Sequence, residues 1–231
     1  MEGVEAVCFD LDSTLCIHNQ SDEEIHEAVF DLSGIEPLFT VANVRAVDPA
    51  DVETAESDAE FYTNLYKEAV RPLATDPDSE LLSELGEITT DVIDESDVSF
   101  RQGAKQALDC ARAHYSVGLI TNGGETTQHT KLETLGITDL FDVIVYCHPA
   151  AGIDPKPAAK PFEKALSELD VSPESTVHIG DNHRSDVVGA HRMGMQSVWV
   201  PPERPHDTYP ENPVPAPTHR LESLSELATL L

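Results

Sequence analysis

The chain has 231 residues, 43 of them acidic against 14 basic, for a formal net charge of −29. That length and an ordinary apolar share fit one globular domain, or one domain carrying an insertion, with a real core. The charge argues against nucleic acid and anionic membrane as partners, because nonspecific affinity for both rests on Lys and Arg.

The acids are spread along the chain and not gathered in a tail. Such a surface is expected of a protein adapted to very high salt, where screening removes the self-repulsion. Cys8, Cys16, Cys110 and Cys147 lie far apart and show no CxxC spacing. Reduced cysteines are expected, with no disulfide or zinc framework. The chain opens Met-Glu-Gly-Val-Glu, without a basic stretch leading into a long apolar one, and no apolar run approaches membrane-spanning length. A soluble, cytoplasmic protein is expected.

Val4 to Phe9 is a short apolar run that reads as a buried strand. It ends abruptly at Asp10, with Asp12 one residue further on. In open parallel sheets, chemistry gathers at the carboxyl ends of strands. Two carboxylates there repel each other and resist desolvation, so a divalent cation is expected against them. One carboxylate is then free to act as nucleophile and the other as acid/base. The competing reading is a plain Asp turn, with Thr14 capping the segment after it.

From Ser21 to Val98 the pattern is helical, with no convincing strand. Ser21-Asp22-Glu23-Glu24 is a capping-box start, and Ile25, Ala28, Val29 and Leu32 come after it at helical spacing up to Gly34. Further helices are predicted over Glu36 to Val47, over Asp58 to Val70 (Phe61, Leu65, Tyr66 and Ala69 on one face) and over Asp78 to Ile93. Pro72 stops the third of them. An all-helical stretch between one strand and the rest predicts an inserted small domain serving as a lid. The alternative is an ordinary helical half of one α/β domain.

From Phe100 strands alternate with helices. Helices are predicted from Gly103 to His114, Thr127 to Leu135, Pro161 to Leu169 (proline at the first helical position) and Asp186 to Met193. Strands are predicted from Ser116 to Ile120, Val143 to Tyr146, Thr176 to Ile179 and Ser197 to Val200. This alternation implies a parallel sheet with right-handed crossovers. Pro201 to Pro217 is proline-rich and reads as a connecting loop. His219 to Leu231 gives a short segment and a terminal amphipathic helix carrying Leu221, Leu224, Leu227 and Leu231.

Three further features fall after these strands. Thr121-Asn122-Gly123 offers a hydroxyl, an amide and free backbone N–H groups, a small neutral oxyanion cradle. Lys156 sits in a stiff turn between Asp154-Pro155 and Pro157. The chain has six lysines, and Lys156, Lys160 and Lys164 fall within nine residues. In so acidic a chain a bound anion explains Lys156, while Lys160 and Lys164 read as a solvated helix face. Gly180-Asp181-Asn182-His183-Arg184-Ser185-Asp186 places two more carboxylates past a strand end. Acids, a lone lysine and a divalent cation are the equipment of phosphoryl transfer. No GxxxxGK[ST], GxGxxG or HExxH occurs. Oxygen-only ligands favour Mg²⁺.

In these residues the chain resembles the haloacid dehalogenase superfamily. Its first motif, Asp-x-Asp-x-Thr after a strand, matches Asp10, Asp12 and Thr14. The second, a Thr or Ser after the next strand, matches Thr121. The third, Lys before Pro with a Phe six residues on, matches Lys156, Pro157 and Phe162. The fourth, Gly-Asp followed by a second Asp, matches Gly180, Asp181 and Asp186. The order is right, and the resemblance covers almost all of Val4 to Val200 plus the end helix.

The resemblance implies an α/β fold: a Rossmann-like three-layer core with a parallel sheet, built from residues 1–15 and 100–231. An all-helical cap domain, residues 16–99, is inserted in it. It also implies a Mg²⁺-dependent phosphatase acting on a small phosphorylated metabolite. Asp10 would attack phosphorus to form an aspartyl-phosphate, and Asp12 would serve as acid and then base. Thr121, Asn122 and Lys156 would hold the phosphoryl oxygens. Asp10, the Asp12 backbone carbonyl, Asp181 and Asp186 would surround the metal. Ser13 stands where many members have Gly, and Thr-Asn-Gly replaces the Ser-Gly-Gly usual in the phosphoserine phosphatases, so that substrate is not implied. The dehalogenases of the superfamily lack the second aspartate, so Asp12 argues against their activity. A sugar-phosphate mutase keeps both aspartates and remains an alternative, as does a non-catalytic regulatory binding protein. His18, Asn19, Gln20, His183 and Arg184 read as surface or hinge residues near the site. No apolar stripe is clearly surplus to the core, which leaves the oligomeric state open.

Overall fold

Ala6, Val7, Cys8 and Phe9 have no solvent exposure, which suits a central strand covered on both faces. In the computed structural model, which describes residues 3–48, 51–73, 77–202, 209 and 211–231, they form β1 (Ala6–Phe9). The chain divides into two units, Met1–Ile17 with Val98–Leu231, and His18–Asp97. The elements in order are β1, β2 (Cys16–His18), α1 (Asp22–Ser33), α2 (Val41–Arg45), α3 (Asp58–Val70), α4 (Ser79–Val92) and β3 (Val98–Phe100). They continue with α5 (Ala104–His114), β4 (Ser116–Asn122), α6 (Glu125–Leu135), β5 (Val143–Cys147), α7 (Ala159–Leu169) and β6 (Thr176–Gly180). The last are α8 (Gly189–Met193), β7 (Gln196–Trp199), β8 (His219–Arg220) and α9 (Leu227–Leu230).

The first unit carries a six-stranded sheet in the order β5-β4-β1-β6-β7-β8, parallel throughout. Strand alternation divides the core. Val7, Phe9, Val117, Leu119, Val177 and Ile179 pack with α5, with Leu132 of α6 and with Leu224 and Leu227. Cys8, Ile120, Val143 and Val145 pack on the other face with Phe162, Ala165 and Ala190. This is the three-layer α/β arrangement that the strand–helix alternation predicts. From β1 the sheet grows to β4 on one side and β6 on the other, the topological switch at which such sheets bind ligands.

The second unit is helical and has its own core of Val29, Phe30, Phe39, Tyr66, Ala69, Val70, Leu82 and Leu85. The rings of Phe30 and Phe39 lie 5.2 Å apart and those of Phe39 and Tyr66 4.7 Å. Ser21 caps α1 with both bonds of a capping box, and Gly34 closes it in the left-handed region. Among the described residues no helix is long and apolar enough to cross a membrane.

Several predicted boundaries move. The helix expected over Glu36 to Val47 is only Val41–Arg45, because Thr40 starts it with its own capping box to Asn43. Phe61 is exposed, since the buried face of α3 runs through Tyr66, Ala69 and Val70. Helix α6 starts at Glu125, two residues early. Pro161 is the third residue of α7 and not the first, which the helix tolerates because first-turn N–H groups have no intrahelical partner. The helix expected from Asp186 begins as a π-helical turn over His183–Val188. Strands β2 and β3, which pair with each other, and β8 were not expected. Of the Pro201 to Pro217 loop, residues 203–208 and 210 lie outside the described residues.

Candidate active site

The register sets Phe9 beside Leu119 of β4 and Ile179 of β6. Asp10, Thr121-Asn122 and Asp181 therefore leave the sheet at one edge. A tight turn comes after Asp10, in which the carbonyl of Leu11 accepts from the N–H groups of Thr14, Leu15 and Cys16 at 3.2, 2.8 and 3.1 Å. Ser13 takes φ +58° in this turn, a conformation that costs a non-glycine residue about 1–2 kcal/mol. Arg101 fixes the turn from behind, donating to the carbonyl oxygens of Ser13 (2.8 Å), Val200 (2.7 Å) and Pro201 (2.8 Å).

The Lys156 ammonium lies 2.6 Å from Asp10 Oδ1 and 2.8 Å from Asp186 Oδ1. Its backbone N–H donates to Asn122 Oδ1 at 2.9 Å, which ties the lysine turn to the end of β4. Lys160 and Lys164 stand outside this group: Lys160 donates to the Gly152 carbonyl and Lys164 pairs with Glu168 on the surface. The Thr14 hydroxyl reaches Asp10 Oδ2 (3.0 Å) and Asp181 Oδ1 (3.2 Å). Asp186 also accepts from the Asn182 N–H (3.0 Å) and meets His178 Nε2 at 2.9 Å. Gly180 makes this possible, since a Cβ there would lie 2.2 Å from the Asp186 carboxyl carbon.

The electrostatics stem from burial. Desolvation pushes Asp10 up to about 6, against the opposing pull of Lys156. Asp181 is raised well above the usual carboxylate range, by burial first and then by the Asp10 and Asp186 charges. Burial would raise Asp186 too, but Lys156 and His178 hold it below its ordinary value. Burial disfavours the Lys156 ammonium, yet Asp10 and Asp186 outweigh that and raise it. His178 is lowered by burial.

Asp12 has different neighbours. Its Oδ1 accepts from Lys131 Nζ at 2.9 Å and its Oδ2 from Gln128 Nε2 at 3.0 Å, both from α6. Sequence reasoning missed these two residues and Arg101. The pair carries no sequence signal: Gln128 and Lys131 read as a solvated helix face, and only the fold puts them with Leu132 on the buried face of α6. The Thr121 hydroxyl is buried without a hydrogen-bond partner, as a group reserved for a ligand oxygen would be. His18 pairs with Glu95 at 3.3 Å and Asn19 donates to Asp97 at 2.8 Å. Gln20 donates to the Val92 carbonyl at 3.1 Å, and His183 meets the Pro215 carbonyl at 2.8 Å.

Among the described residues, Asp10, Asp181 and Asp186 form the group suited to a metal, each offering one oxygen within 4.8 Å of the others. An all-oxygen set in which burial and mutual repulsion raise Asp10 and Asp181 fits a hard divalent cation, which would relieve that repulsion.

A family model described as haloacid dehalogenase-like hydrolase matches residues 4–194. Pyrimidine 5'-nucleotidase YjjG of Escherichia coli (strain K12) is 35% identical over 130 residues, 56% of this chain and 55% of that protein. The chain thus spans about half the length of that relative. Glyceraldehyde 3-phosphate phosphatase of Methanopyrus kandleri is 25% identical over 244 residues, 97% of this chain and 95% of that protein. Among solved structures, a predicted phosphoglycolate phosphatase from Haemophilus somnus 129pt superposes with a TM-score of 0.75 at 16% identity, covering 100% of this chain and 99% of that one. This last likeness shows the fold.

Proposed function

The chain belongs to the haloacid dehalogenase-like hydrolase family, and we propose from that premise a Mg²⁺-dependent phosphomonoesterase that forms an aspartyl-phosphate. The observation that carries this reading is Lys156 Nζ, 2.6 Å from Asp10 Oδ1 and 2.8 Å from Asp186 Oδ1, beside the third carboxylate of Asp181. A buried ammonium shared by two carboxylates is costly as architecture and useful as a receptor for phosphoryl charge.

In this mechanism one Asp10 oxygen bonds to phosphorus as the bond from phosphorus to the leaving oxygen breaks. A proton passes from Asp12 to that leaving oxygen, and the alcohol departs. Asp12 then takes a proton from a water that attacks the aspartyl-phosphate, which releases inorganic phosphate and restores Asp10. Lys156, the Thr121 hydroxyl and Asn122 stabilise the charge on the phosphoryl oxygens. Asp10, Asp181, Asp186 and the backbone carbonyl of Asp12 would hold Mg²⁺, which supplies positive charge against the phosphoryl group.

The substrate is a small phosphorylated metabolite, of the kind that the nucleotidase and phosphatase relatives are named for. The core residues of this mechanism are committed to the phosphoryl group, the proton and the metal. The acidic excess extends the reading to a cytoplasmic protein of high-salt cells. The unfolding midpoint should then rise with KCl, and a protein equally stable without salt would sink that part.

The test is phosphate release from a panel of phosphorylated metabolites and an aryl phosphate. It is run in molar KCl with Mg²⁺ or EDTA, on wild type and on Asp10→Asn. Release that needs Mg²⁺ and vanishes in the variant supports the reading; release that survives in Asp10→Asn or in EDTA contradicts it.

A further inference from the structure

Gln128 and Lys131 are polar residues on the buried face of α6, 3% and 5% exposed. No step of the proposed mechanism uses them. Burying an ammonium costs several kcal/mol of desolvation, and an apolar residue of similar volume is commonly no worse for the fold. Both side chains reach the same distant group. Lys131 Nζ donates to Asp12 Oδ1 at 2.9 Å and Gln128 Nε2 to Asp12 Oδ2 at 3.0 Å. Gln128 Nε2 also donates to the Asn122 carbonyl at 3.0 Å, while Gln128 Oε1 is buried without a partner. The residue is thus placed for Asp12 and the end of β4, not for its own satisfaction.

Gly123 is an independent sign of the same construction. It has φ +130°, and a Cβ there would lie 2.3 Å from Gln128 Nε2. Only the absence of a side chain lets Gln128 approach. The asymmetry of exposure is also informative: the Lys131 side chain is 6% exposed and that of Asp12 37%. The anchor is sealed in, while the carboxylate it holds remains reachable.

We propose that Gln128 and Lys131 are positioning residues that fix the Asp12 carboxylate for proton transfer to the leaving oxygen, one anchor on each carboxylate oxygen. A single hydrogen bond leaves the carboxylate free to rotate about its Cβ–Cγ bond; two, on different oxygens, set the plane. Proton transfer needs the acid within hydrogen-bond reach of the leaving oxygen, and small misplacements are expensive. The inference rests on the acid/base role of Asp12 in the proposed function.

The test compares wild type, Lys131→Met, Gln128→Met and Lys131→Arg on monophosphates of graded leaving-group basicity, from p-nitrophenyl to alkyl. Rapid quenching reads alcohol release in the first turnover. p-Nitrophenolate departs without a proton, whereas an alkoxide needs one. Each Met variant should lose about 10-fold or more on the alkyl ester and stay within about 2-fold on p-nitrophenyl phosphate. The loss should fall in the first-turnover rate constant at saturating ester and leave the half-saturating ester concentration unchanged, and Lys131→Arg should recover part of it. Equal losses across the series, or none on the alkyl ester, overturn the proposal and leave the phosphatase reading standing. A wild type silent on every ester overturns both. Should Lys131→Met fail to fold, Gln128→Met decides, because it removes no charge.

Discussion

The two units bury polar groups in different ways. Among the described residues, the buried polar side chains of the helical unit are Asn64 and Thr89, both neutral. Asn64 donates to the Glu53 carbonyl at 3.3 Å. Thr89 donates to the Leu85 carbonyl at 2.7 Å and meets the Tyr66 hydroxyl at 2.7 Å. The Tyr66 bond ties α3 to α4, and the other two satisfy a buried group locally. Beside neutral Thr14, Thr121, Gln128, Thr176 and Ser197, the core unit also buries Asp10, Lys131, Lys156 and Asp186, ionisable groups linked to one another or to Asp12 at the carboxyl edge of the sheet. Neutral burial is the ordinary means of satisfying a fold. Clustered charge is a poor means of stabilising one, so its presence marks where the chain does chemistry.

The largest expected effect that would sharpen this contrast is Asp10→Asn. Phosphate release should fall on the order of 10⁴-fold or more, the scale on which a nucleophile is lost, while the circular dichroism spectrum stays that of the wild type. Next is Lys156→Met. It should lower kcat at least ~10²-fold and, in metal-free buffer, destabilise by about 3–5 kcal/mol by removing the buried cation between Asp10 and Asp186. An unfolding midpoint unchanged in urea would break the comparison.

A smaller effect should be visible by fluorescence. Trp199 is the chain's one tryptophan, and its indole N–H donates to the Asp181 carbonyl at 2.7 Å. Mg²⁺ titration should change its emission. The apparent affinity should weaken as pH falls through about 6, where Asp10 becomes protonated; the sign is set because a cation needs the ionised carboxylate. Emission that is indifferent to Mg²⁺ at neutral pH contradicts the assignment of Asp181. The smallest effect belongs to the helical unit. Thr89→Val should cost about 1 kcal/mol of stability and leave kcat on an aryl phosphate unchanged. A large loss in kcat would break the division of labour.

Much of this contrast was legible in the sequence, for physical reasons. Asp10, Thr121 and Asp181 each come after an apolar run that stops sharply, and a strand end is where polarity changes in a single step. Ser21 announced the start of α1 because capping is a local hydrogen bond. Lys156 stood out against an acidic background. What could not be read was set at long range. Gln128 and Lys131 look like a solvated helix face until Asp12, 116 and 119 residues away, is brought against them. Arg101 spends its guanidinium on carbonyls of Ser13, Val200 and Pro201 that no pattern connects. The three-residue strands β2 and β3 and the two-residue β8 are too short to carry a period. The true start of α2 lay in a second capping box, at Thr40, inside what reads as one helical run.

The central claim is that a carboxylate of the core, Asp10, takes the phosphoryl group. The most direct measurement is to mix enzyme, Mg²⁺ and the best phosphate ester, quench in acid during turnover, digest, and locate the phosphoryl group by mass spectrometry. The account predicts a hydroxylamine-labile acyl phosphate on the peptide that contains Asp10. Steady phosphate release with no phosphoryl group trapped on that peptide, or with it trapped on another residue, would contradict the account.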